Sequence, residues 1–136
     1  MKKAFLDTNL FVRYLTNDDP KKADRVARLL DEAAGGELLL ITAEMVLAEV
    51  VWVLESAYDL TKQEIAPLIR GILGTPGLEV INGPLVARAV ELYESHNVDF
   101  IDGYIAAVME KHGIEELFSF DRKHRARLNK VKAREP

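Results

Sequence analysis

The 136-residue chain contains no cysteine, which excludes a disulfide framework, a thiolate metal site and a cysteine nucleophile. It has no apolar run of the ~18–20 residues that a membrane-spanning helix needs. The apolar stretch after the two N-terminal lysines is too short for a signal peptide, so we predict a cytoplasmic protein with no membrane partner. Its three histidines, His96, His112 and His124, have no metal-ligand spacing and are interpreted as surface residues.

The charge is distributed unevenly along the chain. The net charge of −4 by itself argues against a nucleic acid partner. Seven lysines and arginines and no acid lie between Arg122 and Arg134, whereas the chain up to Asp121 has 11 basic and 21 acidic residues. The sequence therefore joins an acidic body, of net charge −10, to a basic C-terminal segment.

Length and composition are typical of one globular domain. The chain is 49% hydrophobic and 29% charged, without repeats, low-complexity segments or a linker. A chain of this size removes roughly two thirds of its unfolded surface from water on folding. We therefore predict a single domain over residues 1–136.

Short apolar runs alternate with longer segments of helical periodicity, which indicates an α/β fold around a mostly parallel sheet. Strands are predicted at residues 3–6, 38–41, 78–81 and 117–120, with a last small strand near Val131. Helices are predicted at 9–15, from Asp19-Pro20 to Gly35-Gly36, at 43–58, from Thr61 to about 73, from Pro84 onward, at 100–112 and at 122–128. Pro67 should kink the fourth helix or move its start.

Polar residues that follow strands are the first candidates for a site, because parallel sheets bind ligands at the carboxyl ends of their strands. Asp7 directly follows the first predicted strand, and Asp121 directly follows the fourth. Each aspartate alone is explained as a helix N-cap. If the two strands are neighbours in the sheet, both carboxylates lie at the same edge.

Glu49 is the single polar residue in the ten-residue stretch from Met45 to Leu54. We expect so apolar a helix to be enclosed on most sides, where a lone carboxylate is costly unless it is paired or binds a cation. The alternative is that Glu49 marks the edge of the helix that faces water. Glu44 and Glu55, nearer the helix ends, are interpreted as ordinary solvated residues.

Two further acids begin the helix predicted at 100–112. Asp99 suits the N-cap position, and Asp102 falls in the first turn, where the helix dipole favours a negative charge. Three or four carboxylates in one cleft would repel each other, and a divalent cation would relieve this. Oxygen ligands without cysteine or histidine suit Mg²⁺ or Mn²⁺, which indicates phosphoryl or phosphodiester cleavage by a metal-activated water.

Four stretches in order resemble one known family: FLDTNLFVRYL, VLAEVVWVLESAYDLTKQEI, LEVINGPLVARAVELYESHNVDFIDGYIAAVMEKHG and LFSFDRKHRARL. They are similar to the PIN domain family, and within it to the VapC-like toxin ribonucleases of prokaryotic toxin–antitoxin pairs. The resemblance covers nearly the whole chain. It implies a three-layer α/β/α sandwich with a mostly parallel sheet of 4–5 strands in the order 3-2-1-4-5.

The resemblance also implies an activity, namely Mg²⁺- or Mn²⁺-dependent endonucleolytic cleavage of RNA that leaves 5′-phosphate and 3′-hydroxyl ends. By this resemblance Asp7, Glu49 and Asp102 hold the metal directly or through water, and Asp121 orients a water or a second metal. The supporting positions it implies are Thr8, Asn9, Asp99 and Ser119. Many relatives carry alanine where this chain has Gly103, and the glycine should cost a little helix stability without affecting metal ligation.

The basic segment next to Asp121 is expected to contact RNA phosphates. The residues assigned to this contact are Arg122, Lys123, Arg125 and Arg127. The alternative for the same residues is a solvated terminal helix. The resemblance further implies a homodimer and a cognate antitoxin, which inhibits the enzyme by laying a C-terminal peptide across the active site.

Three other functions are compatible with parts of the sequence. A phosphatase of the haloacid dehalogenase type would need a second aspartate where the chain has Asn9. A PIN-type nuclease in RNA or DNA processing would work without an antitoxin, but such enzymes often carry insertions. A non-catalytic module would use its acids as helix caps and its basic segment to bind RNA or protein.

Overall fold

The computed structural model describes residues 1–121 and 132–136, which form two compact units, Met1–Gly83 and Pro84–Pro136. The first unit contains, in chain order, β1 (Lys2–Phe5), α1 (Thr8–Thr16), α2 (Pro20–Ala34), β2 (Leu38–Ala43), α3 (Glu44–Ser56), α4 (Lys62–Leu73) and β3 (Leu78–Ile81). The second contains α5 (Gly83–Ser95), α6 (Phe100–His112), β4 (Glu116–Phe118) and β5 (Lys132–Arg134). Gly83, the first residue of α5, is also the last residue of the first unit.

Local capping signals set the helix boundaries, as the sequence predicts. The Asp19 side chain accepts a hydrogen bond from the Lys22 N–H at 3.2 Å, and Pro20 follows as the first helical residue of α2. Thr61 and Glu64 form the complete capping box of α4. Each side chain satisfies backbone N–H groups that the helix itself leaves without a partner.

Pro67 lies inside α4 and does not move the start of the helix, which remains at Lys62 directly after the capping box. That part of the prediction is wrong. Proline lacks the N–H that would bond the carbonyl one turn earlier. The reciprocal cap at Thr61 and Glu64 fixes the first turn independently of that missing bond.

The sheet of the first unit has β2 at its centre, paired in parallel with β1 on one side and β3 on the other. Phe5 pairs with Ile41, and Ala43 pairs with Ile81. Alternate side chains of β2 are buried, with Leu40 fully enclosed. The mixed α/β fold with a parallel sheet is confirmed, as is the 3-2-1 part of the strand order.

In the second unit β4 and β5 pair in parallel, which confirms a small last strand near the chain end. β4 ends at Phe118 rather than at residue 120, so the prediction that Asp121 directly follows the strand is wrong. The Ser119 N–H still donates to the Arg134 carbonyl at 3.0 Å, and then the Ser119 hydroxyl accepts from the Asp121 N–H at 3.0 Å. This side-chain bond turns the backbone out of the ladder.

Some expectations remain predictions. The short helix at 122–128 lies outside the described residues. The single domain over residues 1–136 and the pairing that would join the 3-2-1 strands to the fourth and fifth stay predictions. Along 1–121 and 132–136, the helices are all too short or too polar to cross a membrane.

Asp18, in the connection between α1 and α2, accepts hydrogen bonds from the Tyr58 hydroxyl and, at 2.8 Å, from Arg13 Nη1. The pKa of Asp18 is lowered chiefly by the hydrogen bond from Tyr58, and the hydrogen bond from the Arg13 guanidinium lowers it further. Because the pKa is lower in the folded state, the ionised carboxylate stabilises the fold above the unfolded pKa of about 3.9. This stabilisation is lost as the pH falls through the folded pKa.

Tyr58→Phe is therefore expected to raise the pKa of Asp18 toward its ordinary value. The variant should be less stable than the wild type at neutral pH, and the difference should vanish in strong acid. An NMR titration of the Asp18 carboxyl carbon measures the pKa directly. Tyr14→Phe removes a tyrosine hydroxyl from exposed Tyr14 and serves as the control. An Asp18 pKa that is the same in Tyr58→Phe and the wild type would contradict this assignment.

Candidate active site

Asp7 stands where the chain leaves β1 and enters α1. The Leu6 N–H donates to the Ile41 carbonyl at 2.8 Å, and the Thr42 hydroxyl donates to the Leu6 carbonyl at 3.1 Å. Asp7 then caps α1, since its Oδ1 accepts from the Thr8 N–H at 2.8 Å. The cap interpretation is correct. The cap bond uses one carboxylate oxygen of an exposed side chain, so it is compatible with a second role.

Thr42 is a residue that sequence reasoning missed. It is fully buried, and its hydroxyl ties the end of β1 to the central strand immediately before Asp7. A buried hydroxyl normally has a hydrogen-bond partner, and here the partner is the backbone that carries the candidate carboxylate. The available signal was a polar residue extending the apolar run of β2.

Glu44 is not the ordinary solvated residue that the sequence predicts. It begins α3, and its Oε1 accepts from Asn82 Nδ2 at 3.2 Å. Its other oxygen, Oε2, is buried and has no hydrogen-bond partner among residues 1–121 and 132–136. Glu44 follows β2 and Asn82 follows β3, so both lie at the carboxyl edge of the three-stranded sheet.

Glu49 lies on the exposed side of α3, as the alternative prediction has it, while most other positions of the helix are buried or half-buried. Met45 is 78% exposed and Trp52 is 65% exposed, and their spacing of four and three residues from Glu49 puts all three on one face. The buried side is formed by Leu47, Val50, Val51 and Leu54. Glu49 therefore avoids the desolvation cost of a buried charge. α3 packs against α1, the helix that Asp7 caps.

In the second unit the two acids at the start of α6 differ in burial. Asp99 occupies the N-cap position as predicted and is exposed, but its side chain makes no capping hydrogen bond. Asp102 lies in the first turn and is only 5% exposed. The helix dipole at this end favours its negative charge.

Asp121 is exposed, and its backbone N–H is held by the Ser119 hydroxyl as described above. The helix that Asp121 was expected to cap was predicted for residues outside the described ones, so this prediction is not tested. The basic residues predicted to contact RNA also lie outside them, namely Arg122, Lys123, Arg125 and Arg127. His96 and His112 are exposed, as predicted, and His124 is not among the described residues.

A cavity of about 400 Å³ lies between α1 and α2, and the sequence did not predict it. Arg13, Lys22 and Arg25 line it together with Asn9, and its apolar wall is Leu10, Val26 and Leu29. Arg13 is paired with Asp18 at 2.8 Å, and Lys22 lies 3.9 Å from Asp19. The cavity therefore places three cationic side chains close to the helix that Asp7 caps.

The donor atoms of the candidate site suit a hard cation. Asp7, Glu49, Asp102 and Asp121 offer only carboxylate oxygens, which Mg²⁺ and Mn²⁺ prefer. Among residues 1–121 and 132–136, no group of three acids or histidines is arranged to hold a metal ion.

Three comparisons identify relatives of the chain. The family model of the PIN domain matches residues 4–129. A VapC ribonuclease of Aquifex aeolicus (strain VF5) is 26% identical over 118 residues, which are 87% of each protein. A crystal structure of Mycobacterium tuberculosis VapC20, described as a toxin that cleaves the sarcin-ricin loop, is 22% identical with a TM-score of 0.41, covering 90% of this chain and 92% of that one. The chain therefore belongs to the PIN domain family, and the predicted resemblance to its VapC-like members is confirmed.

Proposed function

We propose that the chain is a metal-dependent endoribonuclease and the toxin of a toxin–antitoxin pair. One observation carries the proposal: the PIN family match spans residues 4–129 and includes Asp7, Glu49, Asp102 and Asp121. The similarity to a VapC ribonuclease over 87% of the chain supports RNA as the substrate. The single match across both units supports their acting as one domain over residues 1–136.

In this proposal Asp7, Glu49 and Asp102 hold Mg²⁺ or Mn²⁺ directly or through water. Asp121 orients a water molecule or a second ion. When bound, the cation would activate water as the nucleophile and stabilise charge on the leaving oxygen. The nearly complete burial of Asp102 supports this role, because a buried carboxylate gains most from a nearby cation.

The chain's own groups orient this site. Thr42 and the cap bond to Thr8 fix the backbone and one carboxylate oxygen of Asp7. The Ser119 hydroxyl fixes the turn that presents Asp121. The remaining supporting positions are Asn9 and Asp99. The proton of the attacking water passes to one of the site's carboxylates, and cleavage leaves 5′-phosphate and 3′-hydroxyl ends.

The proposal includes partners and a location. A cognate antitoxin would inhibit the enzyme in the cytoplasm. Two copies of the chain would form a homodimer.

The proposal is tested by titrating the protein with Mn²⁺ in a calorimeter and by incubating it with RNA in the presence of Mn²⁺, Mg²⁺ or excess EDTA. We expect Mn²⁺ binding at millimolar or lower concentration. RNA cleavage should require the cation and yield 5′-phosphate ends. A wild-type protein that binds no divalent cation at millimolar concentration would overturn the proposal.

The basic segment after Asp121 is expected to supply substrate affinity rather than chemistry. Glutamine at its four assigned positions, Arg122, Lys123, Arg125 and Arg127, should flatten the salt dependence of RNA binding. For single-stranded nucleic acids, the slope of log binding constant against log salt concentration changes by about 0.7 for each phosphate that the protein neutralises. Removing four cations should therefore reduce the magnitude of this slope by up to about 3. Fluorescence anisotropy with a labelled RNA at several salt concentrations measures it.

The control carries the same loss of charge at four exposed basic residues elsewhere: Lys21, Arg28, Arg70 and Lys111. These substitutions should change the slope much less. If the slope is the same in the segment variant and the wild type, the segment is not the phosphate contact. The cations that line the cavity between α1 and α2 would then be the next to test.

A further inference from the structure

At Gly103, the residue after Asp102, α6 lies close to the backbone of α5. A Cβ atom built on Gly103 would lie 2.8 Å from the Ala89 carbonyl oxygen and 3.5 Å from Leu92 Cβ. Non-bonded heavy atoms are at their optimal separation near 3.5–4.0 Å, so the first of these contacts is a clash. The obstructing atom belongs to the α5 backbone and cannot rotate away as a side chain would.

Contacts on either side of Gly103 hold the two helices together. At the start of α6, the rings of Phe100 and Tyr93 meet edge to face with centroids 6.2 Å apart. Near the end of α6, Glu110 accepts two hydrogen bonds from the Arg88 guanidinium, both at 2.9 Å. A side chain at position 103 would therefore have to displace a segment of α6 that is fixed at both ends.

We propose that Gly103 is a positioning residue for Asp102, an inference that rests on the proposed role of Asp102 in holding the cation. The absence of a side chain lets α6 lie against the α5 backbone, and this contact sets the position of the first turn of α6. Asp102 is part of that turn and is nearly buried, so it moves with the backbone. From the sequence alone we expect glycine and alanine at position 103 to be equivalent for metal ligation. From the structure we instead expect alanine to weaken it.

The test compares Gly103→Ala with Gly71→Ala. Gly71 lies within α4, and a Cβ built there would meet nothing within 4 Å. Both substitutions replace glycine by the best helix former, so Gly71→Ala should raise the Tm and leave Mn²⁺ affinity unchanged. In Gly103→Ala we expect Mn²⁺ to bind at least about 10-fold more weakly, the loss typical when a metal ligand loses its orientation.

The same preparations are assayed for kcat and KM with RNA and for folding by circular dichroism. In Gly103→Ala the kcat per folded molecule, with the folded fraction taken from circular dichroism, should fall while the KM for RNA is unchanged, whereas simple loss of folded protein would leave kcat per folded molecule at the wild-type value. If Gly103→Ala fails to fold, Phe100→Leu takes its place. It removes the aromatic contact that holds the first turn, and it should weaken Mn²⁺ binding by a smaller factor.

Asp102→Asn separates the two levels of inference. Suppose that the wild type binds Mn²⁺, that Asp102→Asn loses this binding, and that folded Gly103→Ala keeps it unchanged. This result would overturn the positioning role of Gly103 and leave the proposed function standing. If Gly103→Ala does not fold, unchanged binding in Phe100→Leu would overturn the role equally. A wild-type protein that binds no Mn²⁺ would overturn the proposed function and the positioning role with it.

Discussion

Asp7→Asn is expected to reduce metal-dependent RNA cleavage by at least about 100-fold, because it removes a charge from the proposed cation ligands. A bound cation supplies several kcal/mol of transition-state stabilisation, part of which is lost when the cation is held less well, and each 1.36 kcal/mol corresponds to a tenfold change in rate. The fold should be retained, since asparagine is as good an N-cap as aspartate and its side-chain oxygen can accept from the Thr8 N–H. Cleavage rates and Mn²⁺ calorimetry, with thermal unfolding as the check on folding, measure both effects.

The first unit contains a matched control for this variant. Asp19 caps α2 as Asp7 caps α1, and it accepts from the Lys22 N–H. Asp19→Asn makes the same chemical change at a helix N-terminus outside the candidate site, and it should cleave RNA at the wild-type rate. Cleavage by purified Asp7→Asn at the rate of Asp19→Asn would remove Asp7 from the site.

Glu49→Gln is the second substitution with a large expected effect. It also removes a charge from the proposed cation ligands, so the rate of RNA cleavage should fall by at least about 100-fold. Glu49 is exposed on α3, so glutamine of nearly equal size should alter stability by no more than about 0.5 kcal/mol. The loss of activity should therefore be accompanied by weaker Mn²⁺ binding and an almost unchanged Tm. These three measurements on one preparation distinguish a lost ligand from a damaged fold.

Glu55→Gln, on the same helix, is the control. Glu55 lies six residues after Glu49 near the end of α3, and the sequence assigns it no role in the site. It should retain both cleavage and Mn²⁺ affinity. If Glu49→Gln behaves as Glu55→Gln does, Glu49 simply marks the water-facing side of α3, which is the alternative that the sequence left open.

The helices and their boundaries could be predicted well because their signals are local. Thr61 and Glu64 are three residues apart and satisfy each other's backbone N–H groups whatever the rest of the chain does. Gly113 ends α6 where predicted because it adopts a φ of 65°, which glycine tolerates. The end of β4 was missed because an apolar run alone does not show where pairing stops: the last bond to the partner strand is from the Ser119 N–H to the Arg134 carbonyl, and the Ser119 hydroxyl then accepts from the Asp121 N–H.

The sequence by itself determined the family, the parallel α/β character and the acidic residues that make up the candidate site. It could do so because motif order, apolar periodicity and residue chemistry are properties of the chain alone. Only the tertiary structure decided that Glu49 is exposed while Asp102 is buried, that Thr42 holds the backbone before Asp7, and that Gly103 lies against α5. Burial and close approach depend on residues distant in sequence, and no local pattern specifies which ones will be neighbours.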